Sequence, residues 1–219
     1  MSSVLERLSA LRVVPVVEVS DPASAVPLAR TLAGAGLPAT EITLRTPAAL
    51  DAIRAVAAEV PGFLVGAGTL LTSRDVQDAA AAGAAFLVSP GRTDTLDGAA
   101  RDAGLPYVPG AVTASEVMAA VEAGHRHVKF FPAGSSGGPA ALTALSAPLA
   151  AARVRFMPTG GIRPENALEY LSLPSVFAVG GTWVAPRDLV ETRAWDAVRE
   201  RAAGAVRLAS AAPHHAEEA

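Results

Sequence analysis

Short runs of apolar and β-branched residues recur along the chain, and each is followed by a longer alanine-rich stretch with helical spacing. The runs lie at 13–19, 40–44, 63–66, 85–88, 106–108, 127–131, 154–158 and 176–179. The stretches between them include 23–33, 48–60, 73–82 and 114–123. Strand, helix and strand at a spacing of about 21–27 residues predict βαβ units and a parallel sheet. Eight units in a chain of 219 residues predict a closed (β/α)₈ barrel, an α/β fold, with an open doubly wound sheet as the alternative. The dipeptides Ala33-Gly34, Ala82-Gly83, Ala103-Gly104 and Ala123-Gly124 place glycine where a left-handed helix C-cap is wanted. Residues 1–12 read as an extra helix ahead of the first strand, placed to cover the barrel floor. No linker divides the chain, so residues 1–211 are expected to form one domain. Residues 212–219 form a polar, flexible tail in which His214 and His215 are solvated rather than metal ligands.

The polar positions inside the strand runs change the picture from fold to chemistry. In the second run, Glu41, Thr43 and Arg45 share one face and Ile42 and Leu44 the other. The outer face of a barrel strand meets helices, so the polar trio points inward. An inward carboxylate and guanidinium are costly to desolvate unless paired or in use; a structural ion pair is the competing reading. In the sixth run, His127, Lys129 and Phe131 share a face, and Lys129 projects inward if Val128 and Phe130 meet helices. Low dielectric favours the neutral amine, which is a nucleophile toward ketones; the bland alternative is a lysine reaching the barrel mouth. His127 lies one layer deeper and reads as a hydrogen-bonded core histidine. A carboxylate near Lys129 favours the ammonium instead. Arg45 beside Glu41, or a water between Glu41 and Lys129, would relieve that conflict.

Glycines mark the strand ends. Gly66-Ala67-Gly68-Thr69 allows close backbone approach and offers a hydroxyl. Thr159-Gly160-Gly161 and Gly180-Gly181-Thr182 follow the seventh and eighth runs, where barrel enzymes hold phosphate on backbone N–H groups. Ser89-Pro90-Gly91 and Pro109-Gly110 read mainly as turns.

Composition narrows the function classes. Hydrophobic residues make up 51% of the chain but aromatics only 5%, so Ala, Val and Leu must fill the core. The net charge of −3, from 18 basic and 21 acidic residues, gives no footprint for nucleic acid or anionic membrane. Cysteine is absent, which removes disulfides and thiolate metal sites. There is no apolar run long enough to span a membrane and no signal-peptide pattern, so a cytoplasmic location is expected.

With these motifs in order, the sequence resembles the 2-keto-3-deoxy-6-phosphogluconate (KDPG) aldolases and the related 4-hydroxy-2-oxoglutarate (KHG) aldolases. The resemblance runs from Val13 to Trp183. It is most specific from Gly36 through Glu41 to Arg45 and from Gly124 through Lys129-Phe-Phe-Pro-Ala133 to Gly137. It implies Lys129 as the Schiff-base lysine and Glu41 as general acid/base. It implies Arg45 and Thr69 on the substrate carboxylate, with Pro90, Phe131 and Thr159 as further substrate-binding residues. Gly160, Gly161, Gly180, Gly181 and Thr182 are expected to bind phosphate. Neither a cofactor nor a metal is implied, and the family is commonly homotrimeric. The reaction implied is cleavage of KDPG to pyruvate and glyceraldehyde 3-phosphate, and of 4-hydroxy-2-oxoglutarate to pyruvate and glyoxylate. The alternatives are a 2-dehydro-3-deoxy-6-phosphogalactonate aldolase, a phosphosugar isomerase or epimerase, and a non-catalytic phosphosugar-binding barrel. The pattern departs at Glu18, where relatives often carry arginine or an apolar residue. By parity with Val14 and Val16, Glu18 points inward, pairs with Arg45 or Lys129, or sits at the rim. The loop 134–138 lacks the acidic residue of some relatives.

Overall fold

The computed structural model describes residues 3–213. Helix α1 (Val4–Leu11) begins at a reciprocal cap, in which the Ser3 hydroxyl accepts from the Glu6 N–H and the Glu6 carboxylate from the Ser3 N–H. The chain then alternates: β1 (Val13–Val17), α2 (Ala25–Gly34), β2 (Ala39–Thr43), α3 (Ala49–Glu59), β3 (Leu64–Gly68), α4 (Ser73–Ala81), β4 (Phe86–Val88), α5 (Asp94–Ala103), β5 (Tyr107–Val108), β6 (Gly110–Ala111), α6 (Ala114–Glu122), β7 (His127–Phe130), α7 (Gly138–Ser146), β8 (Arg155–Phe156), α8 (Pro164–Leu171), β9 (Val179–Gly181), α9 (Arg187–Glu191) and α10 (Trp195–Ala211).

Every strand pair is parallel, and the sheet curls into a ring. One arc runs β5-β4-β3-β2-β1-β9 and the other β6-β7-β8. The fifth barrel strand joins the arcs. It is split at Pro109, which has no N–H to give; its first half pairs with β4 and its second with β7. Single bridges Phe156↔Val176 and Thr159↔Gly180 close the other seam. This closure excludes the open sheet. The eighth strand begins later than expected, because its ladder to β1 runs Val13↔Val179 to Pro15↔Gly181 and takes in the glycine pair.

The helix stops follow glycine, with one shift. Gly83, Gly104 and Gly124 adopt left-handed φ of +88°, +66° and +94°, as a C-terminal cap requires. Gly34 does not: it stays within α2, and Gly36 (φ +89°) makes the turn instead. The start of the same helix is delayed by a 3₁₀ turn at Pro22–Ser24 capped by Asp21.

Two apolar layers result. The outer one lies between sheet and helices and includes Ile42, Val128 and Phe130. The inner one fills the lower barrel with Val14, Ala39, Leu64, Phe86, Val108 and Met157, and Leu8 of α1 joins it fully buried. Helix α1 therefore floors the barrel, as its position predicted. His127 stacks edge-on against Phe177 in this lower region, with ring centroids 4.8 Å apart. The buried Arg12, just after α1, donates to the carbonyls of Leu171, Ala212 and Pro213, fastening the end of α10 beneath the barrel. The rest of the expected tail, with His214 and His215, lies outside the described residues.

Truncating the floor plug, Leu8→Ala, should cost ~2–5 kcal/mol in denaturant unfolding, the range for a buried leucine, while leaving the upper half of the barrel in place. A loss below about 1 kcal/mol would show that α1 does not seal the core. Tyr107 offers a pH test. Burial, aided by the nearby Asp97 carboxylate, pushes its phenol up to about 12. A phenol raised in the folded state contributes stability that is complete below its unfolded value of about 10 and is lost as pH climbs through about 12. Stability should therefore fall more steeply with alkali in the parent than in Tyr107→Phe; equal slopes would refute the assignment.

Candidate active site

The carboxyl ends of the strands surround a cavity of about 210 Å³. Its wall is built in strand order. Val16 comes from β1, Glu41, Thr43 and Arg45 from β2 and its end, Thr69 from after β3, and Pro90 from after β4. Lys129 and Phe131 come from β7 and its end, Thr159 to Ile162 from after β8, and Gly181 and Thr182 from β9 and beyond. A larger groove of about 400 Å³ runs outside the barrel between α8 and α10. Arginines supply its only charge and it contains no nucleophile, so the chemistry belongs to the mouth.

At the centre Lys129 Nζ donates to Glu41 Oε1 at 3.1 Å and approaches Oε2 at 3.5 Å. Both side chains are almost wholly shut from water, 6% and 1% exposed. The contact is direct, so the water expected between them is not needed to hold the pair. The relief expected from Arg45 is also absent. Arg45 lies beyond the end of β2, exposed at the rim, and among the described residues no ion pair joins it to Glu41. Lys129 also stands 5.3 Å from the centre of the Phe131 ring.

Glycine makes this pair fit. A Cβ on Gly68 would lie 2.1 Å from Glu41 Oε1, and one on Gly66 would lie 2.3 Å from the Phe86 ring. Above Leu64, the inward positions of β3 are therefore vacated for side chains leaning in from its neighbours. Thr69, immediately after, takes a left-handed φ of +62°. Such a backbone is costly for a β-branched residue, and it holds the hydroxyl-bearing side chain on the cavity wall.

The opposite wall is the glycine turn after β8. Gly160 and Gly161 have φ of +92° and +79°. Their carbonyls accept from the Gly134 N–H and from Asn166 Nδ2, which turns them into the protein. Gly181 and Thr182 complete this side. Gly180 does not line the cavity. Its N–H donates to the Pro158 carbonyl, and a Cβ there would strike Thr159 Oγ1 at 2.4 Å. Its bareness makes room for Thr159, just as Gly181 makes room for the Trp183 ring.

Every other residue expected to touch substrate meets at this cavity. Val16, Thr43 and Ile162 line it too; Val16 and Thr43 carried the inward parity as a signal, whereas Ile162 had none. Glu18 pairs with neither Arg45 nor Lys129. Its carboxylate accepts from Arg187 Nη1 at 2.7 Å, and Arg187 is also bound to Glu191. The pairing partner follows β9, which lies beside β1. Among the described residues no three His, Asp or Glu side chains gather as a metal-ligand set, and no helix is long and apolar enough to cross a membrane.

An amine touching a carboxylate, both buried at the mouth of a parallel barrel, is the equipment of a lysine-dependent, carbonyl-capturing enzyme. The comparisons with known proteins agree. The family model "KDPG and KHG aldolase" matches residues 4–201, and the chain belongs to that family. It is 47% identical over 194 residues to the 2-dehydro-3-deoxy-phosphogluconate aldolase of Pseudoalteromonas atlantica, covering 89% of both chains. It is 45% identical to the KHG/KDPG aldolase of Escherichia coli, covering 89% of this chain and 90% of the relative. Among solved structures, KDPG aldolase from Legionella pneumophila, with pyruvate captured as a covalent carbinolamine, superposes with a TM-score of 0.89. That chain is 37% identical, with 93% of this chain and 98% of the other covered.

Gly68→Ala should evict the Glu41 carboxylate while leaving the fold standing. Turnover should fall by at least ~10²-fold, the scale of lost acid/base assistance, with a far-ultraviolet circular dichroism spectrum like that of the parent. Near-normal turnover would mean that the carboxylate position is not required.

Proposed function

We propose that the protein is a class I aldolase that cleaves KDPG to pyruvate and glyceraldehyde 3-phosphate, and 4-hydroxy-2-oxoglutarate to pyruvate and glyoxylate. The 3.1 Å contact between Lys129 Nζ and Glu41 Oε1 carries this reading. One proton passed across it leaves a neutral amine facing a carboxylic acid, the pair that carbonyl addition requires. The relatives named above support it from outside.

The amine adds to the C2 ketone, and Glu41 protonates the developing alkoxide to give a carbinolamine. The nitrogen then gives its extra proton back to the Glu41 carboxylate, Glu41 delivers that proton to the hydroxyl so that water leaves, and the freed nitrogen lone pair forms the iminium. Glu41, as carboxylate, then takes the proton of the C4 hydroxyl. The C4–O electrons form the aldehyde, the C3–C4 bond breaks, and its electrons move into the iminium to give an enamine on Lys129. Protonation at C3 and hydrolysis release pyruvate and restore the amine. Nothing in these steps requires a redox partner.

The ends of the substrate fit the two walls. Arg45 and the Thr69 hydroxyl receive the carboxylate of the keto acid, and Phe131, Pro90 and Thr159 flank the reacting carbons. Gly160, Gly161, Gly181 and Thr182 face the far end, where amides freed by the inward-turned carbonyls suit a phosphate. We extend the homotrimer and the cytoplasmic setting of the resemblance to this chain; sedimentation analysis measures the first.

The decisive experiment is borohydride reduction in the presence of pyruvate, followed by peptide mass spectrometry. The peptide bearing Lys129 should gain one reduced pyruvate, and Lys129→Met should gain none. Absence of label in the parent would sink the aldolase reading and leave an isomerase, epimerase or silent binder. Glu41→Gln should lose ~10²–10⁴-fold in turnover with a smaller change in pyruvate binding. Assays on both C4 epimers separate phosphogluconate-type from phosphogalactonate-type substrates.

A further inference from the structure

Behind the Pro90 wall lies a polar cluster that the reaction outlined above does not use. Asp97 of α5 is buried, 6% exposed. Its Oδ1 lies 2.9 Å from His125 Nε2, and its Oδ2 pairs with Arg92 Nη2 at 2.6 Å. Arg92 also reaches Asp94 at 2.8 Å. The His125 ring meets the Tyr107 ring edge-on, centroids 5.5 Å apart. The Tyr107 hydroxyl then lies 2.6 Å from Ser89 Oγ and 3.4 Å from the Gly91 carbonyl, and Ser89 Oγ donates to that same carbonyl. Ser89 spends its proton on the Gly91 carbonyl, so the Tyr107 proton goes to the nearer Ser89 Oγ, and the two bonds run in series from Tyr107 to the turn that carries Pro90.

The turn has little other freedom. Gly110 packs so close that a Cβ there would lie 2.1 Å from the Pro90 carbonyl. Gly110 itself pairs with Lys129 across the β6–β7 ladder. Pro90 is therefore held from below by the strand beside the reactive lysine and from behind by Tyr107 and Ser89. Burying charge is a poor way to add stability, because an apolar cluster of the same volume often does as well. A buried polar network does fix one arrangement where an apolar cluster permits several.

We infer that Tyr107 is a positioning residue for catalysis: through Ser89 it sets where Pro90 stands, and so sets the keto-acid end of the cavity. The Arg92–Asp97–His125 cluster fixes the Tyr107 ring from behind. Tyr107 touches no reacting atom. Around the ring of strands, Pro90 falls between Thr69 and Lys129, away from the glycine turn that faces the far end. A displaced Pro90 therefore weakens capture of the keto acid whatever aldehyde portion follows. This inference rests on the aldolase reading above.

The test uses the full-length protein and two variants, Tyr107→Phe and Ser89→Ala, with their double. KM is measured for a phosphorylated and an unphosphorylated 2-keto acid, together with the pyruvate concentration that half-saturates borohydride labelling. Tyr107→Phe should raise all three by about tenfold, the scale of a small misplacement in a site, with kcat within about twofold of the parent. Ser89→Ala should do the same, and the double variant should be no worse than the poorer single, since both break one linkage. A merely structural tyrosine would lower the melting midpoint and leave KM and half-saturation unmoved, which overturns the inference. So does a KM rise confined to the phosphorylated substrate, or full additivity in the double. If Tyr107→Phe does not fold, Ser89→Ala alone decides the question by the same measurements. Labelling of parent Lys129 with unmoved variants defeats only the positioning role; no labelling of the parent defeats both readings.

Discussion

One buried contact organises the upper half of this barrel: an amine and a carboxylate, 88 residues apart in sequence, held within hydrogen-bond distance where water does not reach. Either group alone in that place would be severely penalised, and together they satisfy each other. The surroundings serve this pairing. Strand β3 is bare at Gly68 so that the carboxylate has somewhere to lie, and β7 is fixed on both sides by ladders to β6 and β8. Under the proposed mechanism, capturing a ketone would break this pairing, joining the amine to the substrate and freeing the carboxylate to move protons.

The division of labour along the barrel axis follows from the same contact. The lower half is apolar and sealed by α1. The upper half is polar and carries strain at Thr69 and bare backbone at Gly160 and Gly161. Charges that do not touch substrate are kept out of the cavity by pairing with each other, as Glu18 and Arg187 do at the rim and Asp97 does behind the wall.

Much of this was legible in the chain because its signals are local. The period of the strands put Glu41 and Lys129 on inward faces, and the glycines at 83, 104 and 124 marked helix ends by their own backbone needs. What failed depended on a partner far away in sequence. Arg45 had the inward parity and does line the cavity, but the partner that Glu41 takes is Lys129, 88 residues further on. Gly180 looked like half of an anion cradle, yet its N–H is taken by the seam that closes the barrel, and the space above it belongs to Thr159. For Glu18 the options were Arg45, Lys129 or the open rim; the rim is where it lies, and only its partner went unseen. Its actual partner, Arg187, lies beyond the neighbouring strand β9, a pairing that only the closed sheet brings about. The Tyr107 cluster left no trace either, since its members come from a turn, a helix, a strand and a loop.

The interlock between Glu41 and Gly68 also bears on how such a site can change over generations. The two positions occupy one volume, so the order in which they can change is fixed. Any side chain gained at 68 must wait until the carboxylate has gone, and a carboxylate once lost leaves a hollow that invites filling from 68. After that second step the way back is closed to a single substitution. A lineage that abandons this chemistry therefore passes a ratchet at strand three, and glycine there records that the passage has not been made.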